Sequence, residues 1–392
     1  MVLDDADILG NLPLIFIFQS QHNEDMTPEE RAAAARATGA TVALVTTTVE
    51  NVSTVVRNHV RKGLSVLGPA GALPMAAVDA AHKGTYSAIR ASAVAVGEVA
   101  AVSLAATAPP DAPSVADGSR TGPALAVLGA AFGDRLPPAL APRMRWQRWG
   151  DGGCASTVVI FVHGLGGHED QWGERYAETC VNASATPVTV RYTTGQSIDA
   201  SAAEFAATIN DIYRTWPTHI DRLVFVAHSM GGLVATRALH IPASADTGWH
   251  TSVTDVITLG SPFQGAPLER VSDRALRALA LSPTAAPIAE LGHTRSQGIK
   301  DLGPGIAHDV PANIRHHAIV AMVGESHEAL SSVALGDGIV PVSSAQHRRT
   351  DPAASTTHLP VTTHLDLLDD VTVATVLDRV LRPPMGDNGQ VE

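Results

Sequence analysis

With 392 residues, 45% of them apolar and 17% charged, the chain is long enough to bury a large core and too apolar for intrinsic disorder. Its formal net charge of −12 comes from interspersed acids and bases; with no basic stripe, it argues against a nucleic-acid partner. Two cysteines, Cys154 and Cys180, make no disulfide framework. Free buried thiols are expected, with one bridge between them as the alternative.

The N-terminus, Met-Val-Leu-Asp-Asp-Ala-Asp, has no basic leader, and the apolar run at 14–18 is short for a signal core. A cytoplasmic location is expected, with a removed export signal as the alternative. Thr27-Pro28-Glu29-Glu30 is a helix start, with Thr as N-cap and Pro in the first turn. Val42, Val45, Val49, Val52, Val56 and Val60 then recur at steps of three and four, a helix period despite their β-branched side chains. A further helix is predicted over 74–106. Its segment 86–106 contains Arg90 and Glu98, which argue against a membrane span. Residues 107–123 read as a Pro/Ala/Ser/Gly linker, and Leu125, Leu128, Phe132 and Leu136 suggest one more short helix before Pro137. These segments make residues 1–140 an Ala-rich helical region. It could pack on the following domain, form part of a pocket, or join two copies into a homo-oligomer.

From about residue 144 the pattern changes. Strands are predicted at 158–162, 187–192, 223–227, 253–259 and 317–323, with a weaker one at 356–360. Helices are predicted at 172–180, around Phe205, Ile209 and Ile212, at 233–239 and at 367–381. Alternation of this kind gives an α/β fold: a mostly parallel sheet with helices on both faces, filling residues 141–392. One connection, of more than fifty residues, is too long for a plain crossover. Its Ala- and Leu-rich middle, 270–281, is predicted helical, and about 262–313 is expected to form a cap over a site.

The chemistry centres on Ser229, in "DRLVFVAHSMGGLVATRA", where an apolar strand gives way to a helix. A serine hydroxyl needs a neighbouring base, an acid to orient that base, and a turn that lifts it clear of the sheet. Such a turn needs small residues two before and two after the serine. Ala227 and Gly231 supply them, with alanine where glycine is usual. Upstream, "VVIFVHGLGGH" is a buried strand followed by a glycine-rich loop, in position to aim a second amide at a developing oxyanion. The amides of Leu165 and Met230 are the expected oxyanion hole. Downstream, "LGDGIVPVSSA" offers Asp337 in a turn after a strand, and "THLPVTTHLDLLDD" offers His364 just past the last strand. Asp309 and Asp255 lie at strand starts, on the wrong edge of the sheet; His358 falls within a strand and His347 before it. His163 and His228 precede the acid and are read as packing or supporting groups.

With their motifs in view, residues from about 156 to 382 resemble an α/β-hydrolase of the lipase/esterase kind. "HGLGG", "AHSMGG", "TLGSPFQGAPLE" and "DGIVPVSSA" are similar to segments of bacterial lipases and of the PGAP1-like branch. The Ala-x-Ser-x-Gly elbow also resembles that of small Bacillus-type lipases. "AFGDRLPP" and "RSQGIKDLG" resemble actinobacterial esterase/lipase proteins with a similar Ala-rich N-terminal region. The expectation is a serine esterase or lipase with Ser229, Asp337 and His364 as its triad. It would act on a small-molecule or lipid ester, with no cofactor, no metal and no integral membrane segment. An acyltransferase using the same triad and a non-catalytic hydrolase-like binding protein are the alternatives.

Overall fold

The computed structural model describes residues 143–150, 152–242, 248–266, 296–326, 328, 336–346 and 352–382, with Ala32, Ala126, Gly129, Ala130, Gly133, Asp134 and Ala141. Apart from Ala32, the helices predicted at 27–106 and 270–281 and the linker at 107–123 lie outside these residues. The chain divides into two compact units, one of residues 122–135, 141–282 and 292–392, the other of residues 1–121, 136–140 and 283–291. The first holds every element below.

In chain order these are β1 (Arg145–Arg148), β2 (Thr157–Val162), α1 (Glu174–Asn182), β3 (Thr186–Arg191), α2 (Ile198–Thr215), β4 (Arg222–His228), α3 (Met230–Ala238) and β5 (Val253–Leu259). After the long connection come α4 (Gln297–Asp301), β6 (Arg315–Met322), α5 (Val342–Ala345), β7 (Ala354–Pro360) and α6 (Val371–Leu381). The sheet runs β1-β3-β2-β4-β5-β6-β7. Only the β1–β3 pair is antiparallel. Sequence periodicity missed β1. It is four residues long, only partly covered, and shows no apolar alternation.

Period-two alternation builds the layers. Val158, Ile160 and Val162 of β2, with Leu223, Phe225 and Ala227 of β4, enter one core with Phe205, Ile209 and Ile212 of α2 and Leu233 of α3. Their neighbours Val159, Phe161, Val224 and Val226 enter the opposite core with Tyr176 and Cys180 of α1 and Val373 and Leu377 of α6. Both faces of the central strands are therefore buried, and these strands read as unbroken apolar runs. Ser197 caps α2 by accepting from Ala200 N at 3.2 Å, and Asp370 caps α6 by accepting from Thr372 N and Val373 N at 2.7 and 3.1 Å. Both cysteines are free; Cys180 is buried, but Cys154 is only half-buried, because it lies ahead of β2 at the sheet margin.

From β2 the chain crosses to β3 on one side, then returns over β2 to β4 on the other. The chain therefore leaves β2 and β4 in opposite directions along the sheet, the kind of reversal at which α/β folds place their sites. The register pairs Val162 with Ala227, so the glycine loop and the serine turn begin at the same level. The long connection leaves and returns through one neck: Ala266 N donates to Leu302 O at 2.9 Å and Ile306 N to Phe263 O at 3.2 Å. No helix among the described residues is long and apolar enough to cross a membrane.

Candidate active site

Ser229 stands between β4 and α3 with φ 53° and ψ −124°. Non-glycine residues avoid that region, so the surroundings must hold it there. They do so on two sides. Ser229 N donates to Leu259 O at 2.8 Å. A Cβ on Gly164 would stand 2.8 Å from the Ser229 Cβ, and one on Gly231 would stand 2.3 Å from Val162 O. The glycine loop and the first turn of α3 thus meet backbone to backbone. Gly231 is fixed by that contact rather than by crowding against Ala227, whose methyl is absorbed into the core.

Asp337 and His364 meet. His364 Nδ1 donates to Asp337 Oδ2 at 2.5 Å, and both side chains are buried. The backbone repeats the contact, with His364 N donating to Asp337 O at 3.1 Å. The other carboxylate oxygen accepts from Ile339 N at 2.9 Å and Val340 N at 2.8 Å, the local turn that "DGIV" encodes. Burial pushes this carboxyl up, but the adjacent His364 and these hydrogen bonds outweigh it and hold Asp337 below the usual carboxylate range. An ionised acceptor at Nδ1 leaves the neutral His364 ring with its proton on Nδ1 and a bare Nε2, the tautomer that can take a proton.

Gly260, to which sequence reasoning assigned no role, lies beneath this pair. Its φ is +57°, and a Cβ there would stand 2.9 Å from Asp337 Oδ2 and 3.0 Å from His364 Nδ1. His228, beside Ser229, packs its ring on His364 at 4.6 Å and donates from Nε2 to His364 O at 3.0 Å. Burial, reinforced by the neighbouring His364, pushes His228 down to about 3, so it stays neutral and braces the His364 loop.

Leu165 follows β2, and Met230 opens α3. Neither amide N–H has an acceptor among the described residues. Met230 N lies at the positive end of the α3 dipole. Of the rejected candidates, His358 lies in β7, Asp309 precedes β6, and His347 is outside the described residues. Asp255 is fully buried at the far end of the sheet. Among the described residues there is no group of three or more His, Cys, Asp or Glu that could hold a metal ion.

A family model described as a PGAP1-like alpha/beta domain matches residues 193–302. No curated protein matches the chain. Among solved structures, a Bacillus licheniformis lipase in its mature form is 22% identical with a TM-score of 0.44, over 61% of this chain and 98% of that one. A lipase-esterase related protein from Clostridium acetobutylicum is 13% identical with a TM-score of 0.39, over 61% and 98% of the two chains. An Exiguobacterium antarcticum esterase is 13% identical with a TM-score of 0.41, over 61% and 96%. The strand order, with its single antiparallel edge and a serine turned into left-handed backbone after the central strand, gives this chain the α/β-hydrolase fold, and within it a segment similar to the PGAP1-like alpha/beta domain.

Proposed function

We propose that the chain is a serine carboxylester hydrolase, an esterase or lipase that works through an acyl-enzyme on a small-molecule or lipid ester. One observation carries the reading: a serine strained at the strand-to-helix turn, preceded by His228, whose ring packs on the His364 of a buried Asp337–His364 hydrogen bond of 2.5 Å. In this reading His364 Nε2 takes the Ser229 proton as Oγ attacks the ester carbonyl. The Leu165 and Met230 amides receive the oxyanion of the tetrahedral intermediate. His364 passes the proton to the departing alcohol, leaving the acyl group on Ser229. A water deprotonated by His364 then attacks the acyl carbonyl, and collapse frees the acid and restores Ser229. Asp337 holds the ring in its tautomer and stabilises the imidazolium. Residues 262–313 act as the cap, and residues 1–140 contribute no reacting group.

The test is turnover of chromogenic esters with two to sixteen acyl carbons by the full chain and by Ser229→Ala. Loss of turnover in the variant, with stoichiometric phosphonate labelling of Ser229 in the parent, supports the reading. Equal turnover in both would sink it. Competing alcohols in the same assay separate hydrolysis from acyl transfer by the product formed.

A further inference from the structure

The loop carrying Leu165 is held by a segment that the mechanism does not use. We propose that Tyr192 and Thr194, just after β3, are positioning residues for the oxyanion loop and fix Leu165 by gripping the chain on either side of it. This rests on the serine-hydrolase reading.

On one side, the Tyr192 hydroxyl donates to His163 O at 2.8 Å. The two rings stack at 4.4 Å with 21° between their planes. Tyr192 N also donates to His163 Nε2 at 3.4 Å, which leaves Nδ1 protonated and donating to Gly164 O at 3.0 Å. On the other side, Gly166 N donates to the Thr194 hydroxyl at 3.0 Å, and Gly167 N closes the turn onto Gly164 O at 3.0 Å. The amides of Gly166 and Gly167 are therefore occupied, while Leu165 N is left without an acceptor among the described residues. Arg191 adds a buried ion pair to Glu169 further along the loop.

Thr194 is itself immobilised. A Cβ on Gly298 would stand 2.2 Å from Thr194 O, and one on Gly195 would stand 2.1 Å from Gly129 O. Gly298 N donates to Gly195 O at 3.1 Å, and Ser296 Oγ donates to Ala130 O at 2.6 Å. A Cβ on Gly133 would stand 3.0 Å from Gly195 Cα, and Gln297 N donates to Asp134 Oδ2 at 3.2 Å. Gly133 and Asp134 of "AFGDRLPP" and residues 296–298 of "RSQGIKDLG", which the mechanism leaves aside, thus meet around residues 194–195 and close the rear of the grip. An oxyanion donor works only when held within a few tenths of an ångström of the developing charge, and a misplacement of about 1 Å can lower the rate on the order of 100-fold.

The test uses the full chain with Thr194→Val, which removes the acceptor at constant volume, Thr194→Ser, which keeps it, and Tyr192→Phe. Two readouts are taken: hydrogen–deuterium exchange of peptides spanning 163–169, and kcat and KM on a chromogenic ester. Thr194→Val should lose protection in that loop and drop kcat roughly 10- to 100-fold with little change in KM. Thr194→Ser should restore both, and Tyr192→Phe should show a smaller loss of the same kind. Unchanged exchange in Thr194→Val overturns the grip. Lost protection with parental kcat, or equal kcat losses in the Val and Ser variants, overturns the positioning role. Failure of the hydrolase reading shows separately, as equal turnover by the parent and Ser229→Ala, and then also removes Leu165 as the group being positioned.

Discussion

Asp255 and Asp337 are both buried carboxylates hydrogen-bonded to a histidine, and they lie at opposite ends of one sheet. Asp255 accepts from His317 at 3.0 Å, and also from Arg222 at 2.6 Å, Arg315 at 2.6 and 2.8 Å, and Thr254 at 2.7 Å. Burial pushes it up, yet the Arg315, His317, Arg222 and Thr254 hydrogen bonds hold it far below the usual range. Arg222 goes on to Val380 O at 2.7 Å, on the last turn of α6. This cluster ties the starts of β4, β5 and β6 to that helix. Asp337, by contrast, meets one histidine and two backbone amides among the described residues, and that histidine packs on His228, the neighbour of the strained Ser229. An aspartate–histidine contact is thus not by itself a site. A carboxylate saturated by cations fastens strands, whereas one shared with a single imidazole at the carboxyl ends can govern that ring's proton.

The largest effects that test this contrast are kinetic. Ser229→Ala should lower kcat by at least about 10⁴-fold, and Asp337→Asn by about 10³- to 10⁴-fold, because an amide favours the wrong imidazole tautomer. Asp255→Asn should leave kcat per folded molecule near the parent's. Steady-state kinetics with active-site titration checks all three, and a kcat loss in Asp255→Asn matching that of Asp337→Asn would erase the distinction.

The next effect is on stability. Asp255→Ala leaves two guanidinium groups without their shared anion and should cost about 3–5 kcal/mol in denaturant unfolding. Asp337→Ala removes the partner of a single imidazole and strands no guanidinium, and its cost should be smaller. The reverse order would contradict the roles assigned here.

Smaller still is the pH dependence. Burial pushes His163 down to about 4 and His228 to about 3, against an ordinary 6.5. Below about pH 6.5 the unfolded chain takes up protons that the folded chain refuses. Stability should therefore fall as pH drops from 6.5 toward 4, by up to about 1.4 kcal/mol per unit for each ring. Asp255 and Asp337 are depressed, so their contribution is present above the ordinary carboxylate value and is lost below it. Denaturation midpoints between pH 4 and 8 test the histidine window, and a flat profile would contradict it.

The smallest prediction concerns Val361, which leads into the His364 loop with φ 55° while 72% exposed. Val361→Asn should stabilise by about 1 kcal/mol, since asparagine tolerates left-handed backbone better than a β-branched residue. An unchanged or lowered melting temperature would count against strain there.

Much of the fold was legible before any coordinates. Strand period and apolar runs located six of the seven strands to within a few residues, because burial on both faces leaves a strong signal. Edge strand β1 left none. The glycine loop and the Ser229 turn were legible because both need small residues at fixed local spacing. Less legible were Gly260, His228, Tyr192 and Thr194, whose significance comes from what they touch.

By itself the sequence determined the layer order, the serine turn, and the chain order of Ser229, Asp337 and His364, all consequences of local periodicity and turn chemistry. The tertiary structure decided which aspartate meets which histidine, and what holds the loop around Leu165. The reason is physical. A 2.5 Å bond between residues 27 apart, or a glycine admitted only because another strand's carbonyl lies 2.3 Å from its missing Cβ, depends on crossings that no local pattern encodes.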